Sequence, residues 1–593
     1  MSPGSHPSYL HHERPRWQWW ALALAIASAY TLGAVGFWKY DVDHGGEGHV
    51  LDALYLAAQL FILNAPALPP PLNLPLELGR WLALGILVAA AAITAYRIFT
   101  GEVGAITLSF IKEHVVICGR GSIVLDMVRS QRARTPRRRV VVIAAADDTD
   151  LIEGCHALHA IVLVGRPSLI LERARLSKAK RLIAVYEEDG TNVEIAVRAW
   201  ALSRASRPST APPLDCHAQV SDVDLRDSLR RRHLPVQDGR CRVRFFDFFD
   251  DAARDVLLTQ LPLDRQGIGH SDPRQVHLVI VGLGAMGRRV AIKAAQLGHF
   301  ANRRPVRISV IDRAAGEREQ EILFRYPGIR QTCDLTFHEC AIQSTQGQQL
   351  IEGWCAANDT MTSIAVCLDD DALALDVAMR LLPIIHDTSI PVAVRMSRAD
   401  GLTSLLTEHV APPEASRSLR AFGWLDEACI ARLLDEDARE QMATVVHVNF
   451  VELATSHGRQ RAFDEAVKQW EDLVNEDYKE SNRQQVDHIA IKLRAVGCEL
   501  VQASESRPEA AFSAGEVELL AEMEHARWVA ERLLAGWTYA VKPKNEAKRT
   551  SPNLRPWAEL EDHIKEYDRD AVRAIPELVR NVKGEKICRR SER

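Results

Sequence analysis

Two long apolar runs distinguish the first hundred residues from the rest of the chain. Residues Trp17 to Trp38 are almost uncharged, and Leu76 to Phe99 carry charges only near their ends. A membrane-spanning helix needs about 20 consecutive apolar residues. The pattern therefore predicts two transmembrane helices within residues 17–99, and it makes the lipid bilayer the first expected partner.

A shorter apolar stretch, Val50 to Asn64, lies between these runs and is too short to cross a bilayer. It predicts a re-entrant, pore-like segment over residues 50–75, a structure tolerated at membrane depth only inside protein or beside water. Arg14 and Arg16 precede the first run, while the following loop is acidic. The positive-inside bias then predicts a cytoplasmic tail at residues 1–16 and a cytoplasmic C-terminus. The expected location is the cell inner membrane, crossed more than once.

Beyond residue 100 the pattern changes to short apolar runs that alternate with stretches of helical spacing. This alternation is typical of parallel sheets with helices on both faces. It occurs twice, over residues 100–262 and 275–411, and the equivalent glycines Gly119 and Gly282 begin the two copies' turns. The predicted fold is therefore a pair of Rossmann-like α/β domains behind an all-α membrane hairpin, followed by a mainly α C-terminal domain.

The second copy contains the strongest chemical motif. An apolar run (HLVIV) leads into Gly282, Gly284 and Gly287, a helical stretch follows, and a second apolar run ends on Asp312. In dinucleotide-binding units these glycines allow the tight turn, the approach of a phosphate and close helix packing, while the acid binds ribose hydroxyls. We predict that NAD(H) or another adenine nucleotide binds here. The alternative is a nucleotide-binding fold without a ligand.

An acidic cluster, Asp369 to Asp371, follows a later apolar run of the same copy. Ligands of such sheets bind beyond the carboxyl ends of the strands, which would bring Asp369 to the same crevice. Carboxylates in this position also cap the next helix. We expect capping for two of the three acids.

The first copy departs from this motif. Gly119 and Gly121 are present, but Val124 occupies the third glycine position and Ala144 the position of the ribose-binding acid. Asp147 and Asp148 follow slightly late. We therefore expect a folded but degenerate module whose site is empty or binds a different ligand.

The run Val162 to Ala199 resembles the later half of a TrkA-N or RCK domain, the regulator of potassium conductance. Asp189 and Asn192 match the family's acid and asparagine, whereas Arg166 replaces its aspartate. The resemblance implies a homo-oligomer, with a tetramer expected, and the membrane region resembles a two-span potassium-channel pore in outline. However, the residues after the short apolar stretch, NAPALPPP, contain no glycine, and a proline run cannot form a filter of the TVGYG kind.

Residues 412–515 are predicted to be a helical linker, and residues 516–586 resemble a RyR domain, the repeat named after ryanodine receptors. The match includes His525, Trp528, Gly536, Trp537 and Pro556 in order. Aromatic side chains beside a basic loop can stack a base and hold phosphates. The ligand candidates are His525, Trp528, Trp537, Tyr539 and Lys548. The alternative is that the histidine and tryptophans form the domain's core.

Charge and composition remove several function classes. The formal net charge of -5 gives no reason to expect a nucleic-acid partner. The 11 cysteines form no CxxC pair or metal-ligand cluster, so no metal site is predicted. No sequence motif of a hydrolase or metalloprotease occurs, which argues against an enzyme and in particular against a nicotinamide-dependent oxidoreductase.

The function predicted from these patterns is regulation of cation transport through the two-helix region, of the potassium-channel type, by a nucleotide-type ligand of the RCK-like and RyR domains. The alternative is a membrane-tethered nucleotide sensor or signalling effector that conducts no ions.

Overall fold

The computed structural model describes residues 17–62, 64, 66, 68–222, 225–226, 228–229, 239–385, 390–396, 419–423, 438–454, 470, 476–541 and 543–590. The predicted N-terminal tail, residues 1–16, lies outside these ranges. The chain forms two compact units, Met1–Phe110 and Ile111–Arg593.

The first unit is helical. It contains α1 (Trp17–Asp43), α2 (Val50–Gln59) with a 3-10 turn at Leu60–Ile62, and α3 (Leu74–Phe110). Among the described residues, one helical stretch, Leu74–Ala92, is long and apolar enough to cross a membrane. Helix α3 continues through residues 100–110, which the sequence pattern assigned to the start of the first α/β domain. That stretch contains no proline to end the helix.

Small residues allow α1 and α3 to pack closely. A Cβ atom added to Gly36 would lie 2.5 Å from the backbone of Leu76, and one added to Gly79 would lie 2.7 Å from the backbone nitrogen of Gly33. The Asn73 side-chain amide donates to the carbonyl of Gly36 over 2.8 Å. Small residues at these positions therefore set the distance between the two helix backbones.

The first α/β module has six parallel strands in the order β3-β2-β1-β4-β5-β6. Its central strands are buried along their whole length, as expected when helices cover both faces. The elements of this module are β1 (Val115–Gly119), α4 (Gly121–Arg134), β2 (Val140–Ala144), α5 (Thr149–Ala157), β3 (Ile161–Val164), α6 (Pro167–Ile170), β4 (Arg181–Val185), α7 (Asp189–Ser206), β5 (Leu214–Gln219), β6 (Cys241–Phe246) and α8 (Phe248–Asp255).

The second module repeats this topology, with the strand order β12-β11-β10-β7-β8-β9. Both orders are those of a doubly wound dinucleotide-binding sheet. The elements of the second module are β7 (Gln275–Val281), α9 (Ala285–Leu297), β8 (Arg307–Asp312), α10 (Ala315–Arg325), β9 (Asp334–Glu339), α11 (Thr345–Ala356), β10 (Thr360–Val366), α12 (Asp371–Ile385), β11 (Val392–Arg395) and β12 (Leu419–Phe422).

The last strand corrects one predicted boundary. Strand β12 pairs with β11 in parallel, so the sheet continues past the predicted end of this module at residue 411. The strand has only four residues (LRAF), and one of them is charged. A run this short gives no periodicity that sequence reasoning can recognise.

Helix α8 joins the two modules. It packs on α9, and the carboxylate of Asp247 just before it lies 2.8 Å from Arg289 Nε on α9 and 3.1 Å from Arg226. Lys293, one turn further along α9, lies 3.1 Å from Asp250. These ion pairs hold the end of the first α/β module against α9.

The C-terminal region is mainly helical, as predicted. Its elements are α13 (Ala438–Ala454), α14 (Glu476–Asp487), α15 (Ile489–Ala495), β13 (Cys498–Gln502), α16 (Ala514–Leu534), β14 (Thr538–Tyr539), β15 (Thr550–Ser551), α17 (Asp562–Arg573), α18 (Ile575–Lys583) and β16 (Glu585–Arg589).

Strand β13 adds an extended run to residues 412–515, which were predicted to be a helical linker. It pairs antiparallel with β16, which begins at the end of the predicted RyR domain, so the linker and the C-terminal end of that domain form one small sheet. Only the distant partner strand makes this five-residue run extended, because local sequence alone does not favour it. Helix α16 begins at a capping box in which Ser513 and Glu516 exchange hydrogen bonds.

Candidate functional site

The glycine turn between β7 and α9 has the backbone that the motif requires. Gly282 has φ of +88° and donates its N–H to the carbonyl of Ile311 over 2.9 Å. A Cβ atom added to Gly287 would lie 2.0 Å from the carbonyl oxygen of Gly282. Both positions therefore require glycine, the first for its conformation and the second for close packing.

Asp312 ends β8 beside this turn. Its carboxylate accepts the N–H of Leu283 over 2.7 Å and the N–H of Ala314 over 2.8 Å. The acid thus holds the glycine turn against the neighbouring strand end. The side chain is half-buried.

Asp369 lies on the opposite side of the turn. Its Oδ2 would be 2.9 Å from a Cβ atom added to Gly284, and its Oδ1 forms an ion pair of 3.0 Å with Arg395. Asp370 caps α12 by accepting the N–H groups of residues 372 and 373, and Asp371 is the first residue of that helix. Two of the three acids therefore serve the helix terminus, and the third faces the glycine turn.

Sequence reasoning missed Arg395. Its guanidinium also donates to the carbonyl of Leu368 over 3.0 Å and lies over the ring of Phe249, which belongs to α8. The available signal was a basic residue at the end of an apolar strand. The crevice thus combines a glycine turn, the N-terminus of α9, two carboxylates and one arginine, a set that can bind a phosphate and a ribose hydroxyl.

The thiol beneath the turn is unreactive. Cys367 follows β10 and is fully buried, and burial raises its pKa to about 12. The thiolate is the nucleophilic form of cysteine. At neutral pH this group is therefore a small packing residue and no nucleophile.

The first module forms a similar turn with different residues. Gly121 has φ of +68° and donates its N–H to Asp148 over 2.9 Å, while Arg120 pairs with Asp147. Asp148 therefore contacts the glycine turn of the first module, as Asp312 contacts that of the second. A Cβ atom added to Gly119 would lie 2.7 Å from the Val124 side chain, so valine at the third glycine position fills the space over the turn.

The two residues that match the RCK pattern have structural partners. Asn192 accepts the N–H of Tyr186 and donates to its carbonyl, both over 2.8 Å. Asp189 accepts the N–H groups of Ser221 and Asp222. Both side chains therefore hold strand ends in place. Arg166 is exposed at the surface.

In the C-terminal region the structure brings three of the five predicted ligand residues together. His525 is buried, donates a hydrogen bond of 2.9 Å from Nε2 to the carbonyl of Arg555, and stacks on Trp528 at 5.8 Å between ring centroids. Trp537 is also buried. Tyr539 and Lys548 are exposed, on β14 and in the following turn.

A set of cation–π contacts connects these rings. The Arg532 guanidinium lies 5.2 Å from the Trp537 ring centroid and 5.7 Å from those of Trp528 and Tyr478. Lys544 lies 5.3 Å from the Trp537 centroid. Sequence reasoning did not select Arg532 or Tyr478. Arg532 follows Trp528 by four residues on α16, whereas Tyr478 reaches these rings only because α14 packs beside α16. The rings hold protein cations here, which favours a packing role for Trp537.

No metal centre is visible in the described part of the chain, where no three histidine, cysteine, aspartate or glutamate side chains are arranged around one point.

Comparison with known proteins identifies one domain. Residues 514–581 match the RyR domain model, beside the predicted bounds of 516–586, and confirm the predicted RyR domain. No curated protein matches the chain.

Among solved structures, the chain is similar to GsuK bound to ADP, with 15% identity, a TM-score of 0.33, and 70% of this chain and 96% of that chain covered. The GsuK channel bound to NAD gives 12% identity, a TM-score of 0.33, and coverage of 84% and 86%. A dipicolinate synthase from Bacillus halodurans gives 15% identity, a TM-score of 0.18, and coverage of 55% and 98%. At these scores the superpositions carry no argument about function. The sequence match identifies one part of the chain. Residues 514–581, which follow the two parallel-sheet modules, are an RyR domain.

Proposed function

We propose that the chain is a membrane protein that senses a nucleotide in its second α/β module and regulates cation movement through its helical hairpin. In this proposal it lies in the cell inner membrane with both termini in the cytoplasm and assembles as a homo-oligomer, most simply a tetramer. The ligand class is NAD(H) or another adenine nucleotide. GsuK has been solved with ADP and with NAD bound, and this chain is proposed to share that ligand class.

The observation that carries the proposal is the glycine turn with its acid. Gly282 has the positive φ that the turn needs, Gly287 allows the helix to approach, and Asp312 holds the turn from the adjacent strand. A nucleotide would place its phosphates at the N-terminus of α9, where unpaired N–H groups and the helix dipole favour negative charge. Its ribose hydroxyls would reach Asp312.

Arg395 gives this site a means of responding to the ligand. In the structure its guanidinium contacts Asp369 on one side and the Phe249 ring of α8 on the other. A phosphate at the turn would compete with Asp369 for the arginine, because the bidentate geometry of guanidinium suits both anions. Movement of Arg395 would then reach α8 and the first module.

Helix α9 connects the glycine turn to the RyR domain. Helix α9 begins at Ala285, directly after Gly284, and is about 20 Å long at 1.5 Å per residue. It contacts α16. A nucleotide that binds one arrangement of these elements more tightly would increase the population of that arrangement. The size of the shift is limited by the difference between its affinities for the two arrangements.

The proposal assigns no catalytic activity to the chain. In the described crevice the buried thiol of Cys367 is held protonated by its raised pKa, and Asp312 is engaged by two backbone N–H groups. The chemistry supported by this arrangement is binding.

A second candidate is a membrane-tethered sensor that conducts no ions. It is favoured by the segment after α2, where residues 64–73 read NAPALPPPLN and include no glycine. A filter built from backbone carbonyls would need a different backbone from the one that prolines favour.

Flux measurements on the full-length protein in liposomes test both candidates. We expect cation flux, followed with K⁺- and Na⁺-sensitive dyes inside the vesicles, to change when ADP or NAD⁺ is present on the cytoplasmic face. Asp312→Asn should remove that response while leaving protein insertion unchanged. Nucleotide binding without flux of either ion would establish the non-conducting sensor, and the absence of both binding and flux would refute the proposal.

A further inference from the structure

A cavity of about 540 Å³ lies between the second α/β module and the RyR domain. One wall is the turn after α9, residues 298–305, and the other is α16 with the loop at residues 554–557. Outside the lining, the second module and α16 approach closely at Gly328, where an added Cβ atom would lie 2.5 Å from the carbonyl oxygen of Leu533. The volume is within the range of about 300–1,000 Å³ that is usual for small-molecule sites.

The charges around this cavity leave it positive. Glu522 is neutralised by Arg303, which donates two hydrogen bonds of 2.8 and 2.7 Å to its carboxylate. Within the described ranges, the side chains of Arg304 and Arg555 form no hydrogen bond or ion pair. The Nε of Arg555 is moreover buried without an acceptor. A buried N–H without an acceptor is costly, so a ligand oxygen here would relieve that cost.

The remaining lining is aromatic and apolar. The Trp557 indole is fixed by a hydrogen bond of 3.0 Å from its Nε1 to Glu518, and its ring centroid lies 5.7 Å from that of His525. Phe300 on one wall and Met523 on the other contribute apolar surface. A flat apolar group would therefore find both an aromatic neighbour and an apolar floor.

We propose that this cavity binds a second ligand, an organic phosphate with a planar apolar body, which is the chemical class of the nucleotides. Arg304 and Arg555 would bind the phosphate, since guanidinium offers paired donors to its oxygens. The planar body would lie beside Trp557. This site is separate from the glycine turn. It rests on the proposed function in one respect, since both ligands would shift the same equilibrium between arrangements of the two domains.

The location of the cavity gives its ligand a regulatory role. Its wall at residues 298–305 directly follows α9, the helix whose other end forms the glycine turn. A ligand that bridges Arg304 of the module and Arg555 of the RyR domain would fix the two domains together. Occupancy of one site would then alter affinity at the other, and the effect would be reciprocal.

Hydrogen–deuterium exchange of the full-length protein in detergent micelles, with ADP as the probe, locates the binding. ADP should slow exchange in peptides covering residues 298–305 and 554–557, in addition to peptides covering the glycine turn at 282–288. Arg304→Gln combined with Arg555→Gln should weaken the protection at 298–305 and 554–557 by at least about tenfold in ADP concentration, because charge-assisted hydrogen bonds are lost. Arg380→Gln, which removes one positive charge from an exposed position of α12 outside the cavity, is the control and should change nothing.

Adenosine and inorganic pyrophosphate separate the two parts of the proposed ligand. Each should protect the cavity peptides more weakly than ADP, since each offers only the planar body or only the phosphates. Protection at 282–288 alone, or cavity protection that survives the double arginine substitution, would overturn the cavity site and leave the glycine-turn proposal standing. Protection at the cavity alone would support the cavity site and contradict the proposed nucleotide site at Asp312.

Discussion

A buried ion cluster fixes the RyR domain's first helix, and it yields a prediction with a definite order of effects. Glu524 on α16 contacts Lys492 on α15 and accepts two hydrogen bonds, of 2.9 and 2.8 Å, from Arg527. The side chains of Lys492, Glu524 and Arg527 are 1%, 4% and 2% exposed. Arg527 also contacts Glu531 at 2.9 Å. The carboxylate of Glu524 therefore lies between two buried cations.

Two substitutions in this cluster, each of which nearly conserves side-chain volume, should differ in how much they lower the free energy of unfolding. Glu524→Gln leaves Lys492 buried without a counter-charge, and breaking a buried pair in this way costs about 3–5 kcal/mol. Lys492→Met leaves Glu524 with Arg527, which donates both of its hydrogen bonds to Oε1, so the loss is the one charged hydrogen bond at Oε2, about 1.5–3 kcal/mol. The glutamate substitution should therefore be the more destabilising of the two.

Local hydrogen exchange measures this difference in the full-length protein. Peptides covering residues 514–534 should exchange roughly two to three orders of magnitude faster in Glu524→Gln, at 1.4 kcal/mol per tenfold change. The acceleration should be smaller in Lys492→Met. Equal effects, or a larger effect of the lysine substitution, would refute the assignment of Glu524 as the charge that both cations need.

The same cluster predicts a pH dependence of a known sign. Burial opposes ionisation of Glu524, but Arg527 and Lys492 outweigh it and hold the pKa at about 2, below the ordinary 4.5. The stabilisation is therefore complete above about pH 4.5 and is lost as pH falls towards 2. Burial lowers the pKa of Lys492, so the folded state binds its proton less tightly than the unfolded chain does. In Glu524→Gln we expect the stability of α16 to rise with pH towards 10.5, and a pH-independent variant would contradict this reasoning.

Two further predictions use glycine pairs as matched controls. Gly287→Ala would place a Cβ atom 2.0 Å from a backbone oxygen, so titration calorimetry should show at least about tenfold weaker ADP binding at the glycine turn, whereas Gly353→Ala, with open space on α11, should bind normally. Unchanged affinity in Gly287→Ala would argue against binding at this turn. In the first unit, Gly36→Ala would place a Cβ atom 2.5 Å from the Leu76 backbone and should destabilise the helical hairpin by about 1–3 kcal/mol in detergent unfolding followed by circular dichroism. Gly85→Ala, which meets no atom within 4 Å, should be neutral, and equal stability of the two variants would contradict the close packing of α1 and α3.

Much of the architecture follows from the sequence because it depends on local patterns. Apolar runs separated by helical spacing predict parallel sheets, and both six-stranded sheets have the order expected of them. The RyR match depends on residues within one short region of the chain and is confirmed. The glycine turn is likewise local, since its conformation requires glycine wherever the turn occurs.

Other features involve residues that are distant in the sequence, and only the tertiary structure decides them. Strands β12 and β13 are too short to show periodicity, and each is extended because a partner strand lies beside it. The late acid Asp148 reaches the first module's turn only through the path of the loop after β2. The contact of Arg395 with Asp369 joins the ends of two strands that the sequence separates by a helix.

The cavity between the second module and the RyR domain shows this division most clearly. Arg304 and Arg555 look like ordinary surface arginines in the sequence, 251 positions apart by number (555 − 304). Because α16 packs beside the residues that follow α9, both arginines line the same cavity. Local sequence determines which segments become helices, strands and turns, because backbone preference and burial pattern act over a few residues. The placement of charges around a shared cavity is decided by domain packing, which depends on contacts between residues hundreds of positions apart.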